Sequence, residues 1–398
     1  MLTGQTPTSA EDRQLLHAIT LRGLLSFGPD TPALPLSNLN LLIGPNGSGK
    51  SNLIEALALL RAAPNDLRTV VRRGGGVSEW IWKGDPKGEA AIEAVVCNPD
   101  GPQPLRHLLA FRAENQMFRL DDEYIENERP YPRESRPYFY RYQQGHPVIT
   151  IKGDERRLSR DRVEPDLSIL AQRRDPETYP VISYLADAYA SVRIYREWAF
   201  GRNAVFREPQ KADMRNDRLE EDFSNLGLFL SRLSKLPKAK KAVLAGLHDF
   251  YEGFSDFNVI PEGGTVQVFF TEKEFSIPAV RLSDGTVRYL CLLAILCDPE
   301  PPPLICIEEP ELGLHPDILP KVADLLISAA ERTQLIVTTH SDILVDAMTE
   351  RPSAVVVCEK HEGKTEMRRL DAQTLAGWLV KYRLGELWTR GELGGTRW

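Results

Sequence analysis

The sequence predicts an α/β protein with a mixed or parallel core sheet, an antiparallel β subdomain and a helical insertion. Three observations carry this. Short apolar strands alternate with helical patterns at both ends of the chain. A glycine-dense turn, Gly44-Pro45-Asn46-Gly47-Ser48-Gly49-Lys50-Ser51, sits between a strand and a helix. The middle of the chain instead alternates apolar with polar and aromatic residues, broken by turn residues.

In order, "HAITLRG" reads as the first strand and "LSFGPDTPALPL" as a turn-rich link. "NLNLLIG" is a short buried strand, and "KSNLIEALALLRAA" a helix with Leu53, Ile54, Leu57 and Leu60 at helical spacing. "RRGGGVSEWIWKGDPKGEAAIEAVVC" suggests short strands and turns. From Asn98 to about Ile151 the alternation predicts antiparallel strands. Arginines and aromatics interleave in "RPYPRESRPYFYRYQQ", a pattern that fits either a base-stacking platform or cross-strand pairs on a half-exposed sheet. Helical patterns start at Pro180 with "VISYLADAYASVRIYREW" and "DRLEEDFSNLGLFLSRLSKL". A basic run follows with Lys235, Lys238, Lys240 and Lys241, of the kind that ordinarily forms solvated surface. "GTVQVFFTE" and "EFSIPAV" return to strands. "VRYLCLLAILC" is a buried helix, "PLICIEEP" a strand, "PDILPKVADLLISAA" a helix, and "QLIVTTH" and "SAVVVCEK" strands.

The glycine turn matches the phosphate-cradling P-loop. Glycines let the backbone curl so that N–H groups face phosphate oxygens, and the helix that starts there adds its positive dipole end. Lys50 would reach the β and γ phosphates and Ser51 would hold Mg²⁺. Two carboxylates, Glu308 and Glu309, end the strand "LICIEE". Adjacent acids at the end of an apolar strand are costly unless they face a metal or a polar cleft. Glu308 would serve the metal, directly or through water, and Glu309 would polarise the attacking water. His340 ends "QLIVTTH", a strand expected beside the one carrying Glu309, which suits a γ-phosphate contact. In "RLSDGTVRYL", Ser283, Asp284 and Gly285 open an apolar helix and would form a second anion site.

Composition bounds the remaining classes. The chain has 398 residues and a net charge of −7, against a nonspecific nucleic-acid coat but not against a local basic groove. Its five cysteines lack metal-like spacing and read as reduced, mostly buried thiols. The polar N-terminus has no signal-like apolar block, and "YLCLLAILC" is too short to span a bilayer, so a soluble, cytoplasmic protein without a membrane partner is expected.

Together these motifs resemble the ABC-type ATPase head, a P-loop NTPase. "LSDGT" looks like its signature, "LICIEE" its Walker B strand, "ELGLHP" its D-loop and His340 its switch histidine. More narrowly, "GPNGSGKS", "LSDGT" and "EPE..LHP" resemble the RecF/SMC-like branch and its stand-alone bacterial ATPases. The resemblance implies one head in four stretches: residues 1–97 with the P-loop, 98–178 as the inserted β region leading to a Gln-bearing loop, 179–260 as the helical insertion, and 261–398 with the other motifs. Gln172 is the candidate for the glutamine that senses Mg²⁺, with Gln143 and Gln144 as rivals. Where Glu308 stands the family usually has Asp. The resemblance also implies ATP and Mg²⁺ as cofactors and a homodimer that sandwiches each nucleotide between one P-loop and the other copy's signature. It implies a switch acting on DNA in repair or in defence against foreign DNA, or alternatively an ATP-gated scaffold for a separately encoded effector such as a nuclease. A transporter engine fits less well, since its signature usually reads "LSGGQ", and a hexameric AAA+ motor has no role for the "LSDGT" turn.

Overall fold

The computed structural model describes residues 14–129, 138–143, 145–151, 153–159, 163–198, 201 and 204–396. Two compact units emerge. The first takes the chain up to Val192, then Val356–Leu370 and the residues from Leu393 on; the second takes Arg193–Val355 and Asp371–Glu392.

In the first unit an antiparallel sheet runs Leu34–Pro35, Leu16–Arg22, Ala90–Val96, Leu105–Glu114, Met117–Asn127, Tyr138–Gln143, His146–Ile151 and Asp154–Arg157. Its longest hairpin turns at Asn115 and Gln116, both with positive φ (51° and 63°), the backbone that a two-residue turn between right-twisted strands requires. The alternation that predicted these strands puts Leu109, Phe111, Ile125, Tyr140 and Ile149 inside. Ala90–Val96 pairs with Leu105–Glu114, so the boundary read at residue 97 falls in the link between two paired strands. Residues 130–137 and Gln144 lie outside the described residues. Of the described aromatics there, Tyr140 and Tyr142 are buried and Tyr138 and Phe139 half-buried, with the Arg141 guanidinium 5.1 Å from the Tyr138 ring, an arrangement of packing on a half-exposed sheet.

The same unit holds the strand Leu39–Ile43, all five residues buried, and the helix Lys50–Ala62 that follows the glycine turn. Beside that strand lies Val355–His361, which pairs antiparallel with Lys364–Arg369.

The second unit is built on three parallel strands, Arg193–Tyr195, Leu304–Glu308 and Gln334–Thr338. The helix pattern read from Pro180 through Trp198 stops at Ser191, and the next residues are strand. The physical reason is burial: Arg193, Ile194 and Tyr195 are all buried and register with Ile305–Ile307. The helix read over "DRLEEDFSNLGLFLSRLSKL" likewise begins only at Leu226. Before it, the buried Asn225 side chain donates to the carbonyls of Arg215 and Arg218 and accepts from the Glu220 N–H, holding a turn in place of a helix. A small antiparallel sheet orders Gln210–Lys211, Thr265–Glu272 and Phe254–Glu262, with Phe275–Pro278 also on Thr265–Glu272. The helix Asp284–Leu296 is buried from Thr286 to its end and the helix Leu319–Ala329 on one side only, matching their continuous and amphipathic patterns. Among the described residues no helix is long and apolar enough to cross a membrane.

Candidate functional site

The first unit supplies the phosphate turn. Gly44, Gly47 and Gly49 have φ of 150°, 80° and 102°. At Gly49 this left-handed backbone is the N-cap of a 13-residue helix. A Cβ at Gly49 would lie 2.2 Å from Thr365 Oγ1, whereas one at Gly47 would meet nothing within 4 Å. The turn is therefore packed tightly at its base and open at its tip. Lys50 Nζ donates to the carbonyls of Gly44 (2.7 Å) and Pro45 (3.1 Å), so the ammonium lies across the turn. Ser51 is exposed at the helix start, and the buried Ser48 hydroxyl has no hydrogen-bond partner among the described residues. These features fit a triphosphate: a cation across the cradle, an exposed hydroxyl at the helix start, and a buried polar atom inside without a hydrogen-bond partner among the described residues.

One support comes from far along the chain. Thr365 Oγ1 donates to the Ser48 carbonyl at 2.9 Å and shares a 2.6 Å hydrogen bond with Ser26 Oγ, which accepts from Asn52 Nδ2. Thr365 thus ties the turn to the helix it opens, a role no local pattern signalled.

The second unit supplies the carboxylates. Glu308 ends its strand in register with Thr338. Glu309 then adopts φ 47°, a left-handed conformation that costs a side-chain-bearing residue about 1 kcal/mol or more. Its N–H donates to the Thr338 carbonyl at 3.0 Å. Its carbonyl accepts from Arg288 Nη2 at 3.1 Å. Trp198 Nε1 donates to the Glu308 carbonyl at 2.7 Å, and its ring lies 4.5 Å from the Arg288 guanidinium. Both sides of the 308–309 peptide are therefore fixed. Burial pulls the Arg288 pKa down to about 10, which leaves it charged at neutral pH.

His340 stands beside Glu309 as the strand order predicts, two residues past the end of the neighbouring strand Gln334–Thr338. Its Nε2 lies 3.7 Å from Glu309 Oε1, with both side chains about one-third exposed. Glu311 holds this corner: its carboxylate accepts the His340 N–H at 2.7 Å and the Thr339 hydroxyl at 2.8 Å. Burial raises its pKa above the usual carboxylate value. Glu311 sits inside the "ELGLHP" stretch, yet only the folded chain shows that it holds the backbone at His340.

Ser283 caps the helix Asp284–Leu296, its Oγ accepting from Thr286 N at 3.1 Å. A Cβ on Gly285 would approach the Gly313 carbonyl to 3.0 Å, so the "LSDGT" and "ELGLHP" turns touch within one protomer. Gln172 has its amide engaged: Oε1 accepts from Glu164 N (2.8 Å), and Nε2 donates to the carbonyls of Glu164 (3.1 Å) and Leu167 (2.7 Å). To reach an ion it would have to release that turn. Its short helix is anchored by Glu123, which accepts from Ile169 N and the Ser168 hydroxyl in a fully buried cluster with His107 and Tyr189. Burial pushes the thiols of Cys291, Cys297 and Cys358 up, against any reactive role.

A family model described as "AAA domain, putative AbiEii toxin, Type IV TA system" matches residues 39–346. The chromosome partition protein Smc of Mycolicibacterium paratuberculosis (strain ATCC BAA-968 / K-10) is 32% identical over 96 residues, 23% of this chain and 8% of that protein. The same protein of Mycobacterium tuberculosis (strain ATCC 25618 / H37Rv) is 32% identical over 108 residues, 26% of this chain and 9% of that protein. The chain therefore aligns with less than a tenth of the length of these relatives. Among solved structures, an Smc head bound to the C-winged helix domain of ScpA superposes with a TM-score of 0.59 at 15% identity, covering 90% of this chain and 99% of that one. An Smc head with an extended coiled coil, bound to the C-terminal domain of ScpA and derived from Pyrococcus furiosus, gives 0.56 at 13% identity, covering 92% and 99%. The fold is that of an SMC-type ATPase head, a P-loop NTPase with an antiparallel β subdomain.

Proposed function

The chain belongs to the AAA-domain family whose model spans residues 39–346, and from that premise we propose that it is an ATP-hydrolysing switch whose two copies close on nucleotide. The P-loop, Gly44 to Ser51, would hold the triphosphate, with Lys50 on its β and γ oxygens. Ser51 and Glu308 would hold Mg²⁺, which supplies charge neutralisation for phosphoryl transfer. Glu309 would take the proton from the attacking water, and His340 would contact the γ-phosphate. Ser283, Asp284 and Gly285 would complete the site of a second copy, so that hydrolysis removes the contact holding the pair together.

The observation that carries this reading is the corner at residues 309 and 340: a glutamate in a strained backbone, 3.7 Å from a histidine, each just past the end of one of two adjacent parallel strands. Exposed apolar residues flank the signature and D-loop turns, Val280 at 51% and Leu312 at 49%, as a face that a second copy covers would require. Glu309→Gln is expected to bind ATP, accumulate as a dimer and lose about 10²–10⁴ of turnover. Wild-type turnover in that variant would overturn the assignment of the base. The object moved by the switch is DNA on the analogy of the chromosome-partition relatives, in repair or defence against foreign DNA. ATPase stimulation by double-stranded DNA that fades with salt would support it.

A second reading is favoured by the helix Ala372–Leu379, which buries none of its residues and exposes Trp378. The segment after it is latched to the short helix following His340, with Gly385 N donating to Asp346 at 2.6 Å. An ATP-gated scaffold for an effector would use such an arm, and turnover that responds to the effector but not to DNA would favour it.

A further inference from the structure

Arg207 is buried, yet no motif contains it. It ends a short helical turn, Val205–Arg207, and its side chain is 6% exposed. Nη1 donates to the carbonyls of Leu282 (2.7 Å), Val280 (3.3 Å) and Ala279 (3.4 Å). Nη2 donates to the carboxylate of Asp284. One guanidinium therefore grips the backbone leading into the signature turn and the first residue of the helix leaving it. The approach to the turn, Ala279–Arg281, buries no side chain, so Arg207 is what ties its carbonyls to the buried part of the unit.

Charge makes the contact more than a brace. A carboxylate at Asp284 sits next to Ser283, at the helix end proposed to receive a phosphate. Left alone it would repel the anion that the N–H groups and the helix dipole attract. Paired with Arg207, its charge is cancelled and its oxygen is directed to Nη2. Lysine could not reproduce this, since a point charge cannot span three carbonyls and a carboxylate at once.

We propose that Arg207 is a positioning residue that makes the "LSDGT" turn competent to bind phosphate by fixing its backbone and neutralising Asp284. The inference rests on the reading of that turn as the second copy's phosphate contact. It is tested with the full-length chain in three variants: Arg207→Met, Asp284→Asn and the double substitution. ATP-dependent self-association is followed by light scattering in a Glu309→Gln background, and turnover is measured in the background that retains Glu309.

Arg207→Met is expected to weaken association at least about tenfold and to lower turnover with it. Affinity of the unassociated protomer for a fluorescent ATP analogue should be unchanged. Adding Asp284→Asn should restore part of the association, the share lost to the unpaired carboxylate, while the three carbonyl contacts stay unmade. A purely structural role predicts no such rescue, because the Asp284 side chain is 58% exposed and its loss of a partner costs the fold little. Normal association of Arg207→Met, or failure of Asp284→Asn to restore any of it, overturns the proposal. If Arg207→Met does not fold, Arg207→Lys is read the same way, with a partial loss expected and none overturning. Ser283→Arg separates the levels: if it leaves turnover intact, the reading of the signature fails, whereas if it abolishes turnover and Arg207→Met does not, this inference alone fails.

Discussion

The phosphate turn and the glutamate corner solve the same problem, holding a polar group in a costly backbone, by opposite means. The turn from Gly44 to Ser51 uses residues with no Cβ, and its conformation is set within eight positions of the sequence. The corner puts an ordinary glutamate at φ 47° and keeps it there with groups from far away: Trp198, Arg288, Thr338 and, through His340, Glu311. Strain relieved by composition is written locally, whereas strain opposed by clamps is written across the chain.

The largest expected effect breaks the local side. Gly49→Val would place a β-branched side chain at φ 102° with its Cβ 2.2 Å from Thr365 Oγ1. Strain and overpacking together should cost about 3 kcal/mol or more. Nucleotide affinity measured by isothermal titration should fall at least about a hundredfold, and the melting temperature should drop. Normal affinity would mean that the turn is not held by its glycines.

The distant clamps break differently. Arg288→Met keeps much of the side-chain volume but removes the donor to the Glu309 carbonyl and the charge over Trp198. Turnover should fall about ten- to a hundredfold, since a slight misplacement of a base costs that much. Binding of ATP to the phosphate turn should hardly change, so kcat moves and KM does not. Equal losses in both would show that the clamp supports the whole unit and not the corner.

This contrast explains how much was legible in the sequence. The strand–turn–helix around Lys50 was readable because every requirement lies between Leu39 and Ala62. The neighbourhood of Glu309 and His340 was readable because parallel strands that alternate with helices have few possible orders. Arg288 was not, since an arginine in "VRYLCLLAILC" breaks the apolar pattern without saying what it meets. Arg207 lies in a stretch with no periodicity. The strand Arg193–Tyr195 was hidden because "VRIYREW" also continues the helical spacing of the preceding residues, and only burial beside Leu304–Glu308 decides between them. The bonds from the Gln172 amide to the Glu164–Leu167 turn were not legible either, because no motif signals that partnership.

The smallest expected effect sharpens the comparison, because the phosphate turn has one distant clamp of its own. Thr365→Val preserves shape but removes the hydroxyl that donates to the Ser48 carbonyl and bonds to Ser26 Oγ. Both partners are then left with a hydrogen bond unmade in a buried place, at a cost of about 1–3 kcal/mol in stability. If the glycines alone define the cradle, KM for ATP should change no more than about threefold while the denaturation midpoint falls, because the backbone conformation survives the loss of one support. A loss of ATP binding comparable to that of Gly49→Val would erase the distinction, since the turn would then depend on a residue more than three hundred positions away as heavily as the corner depends on Arg288.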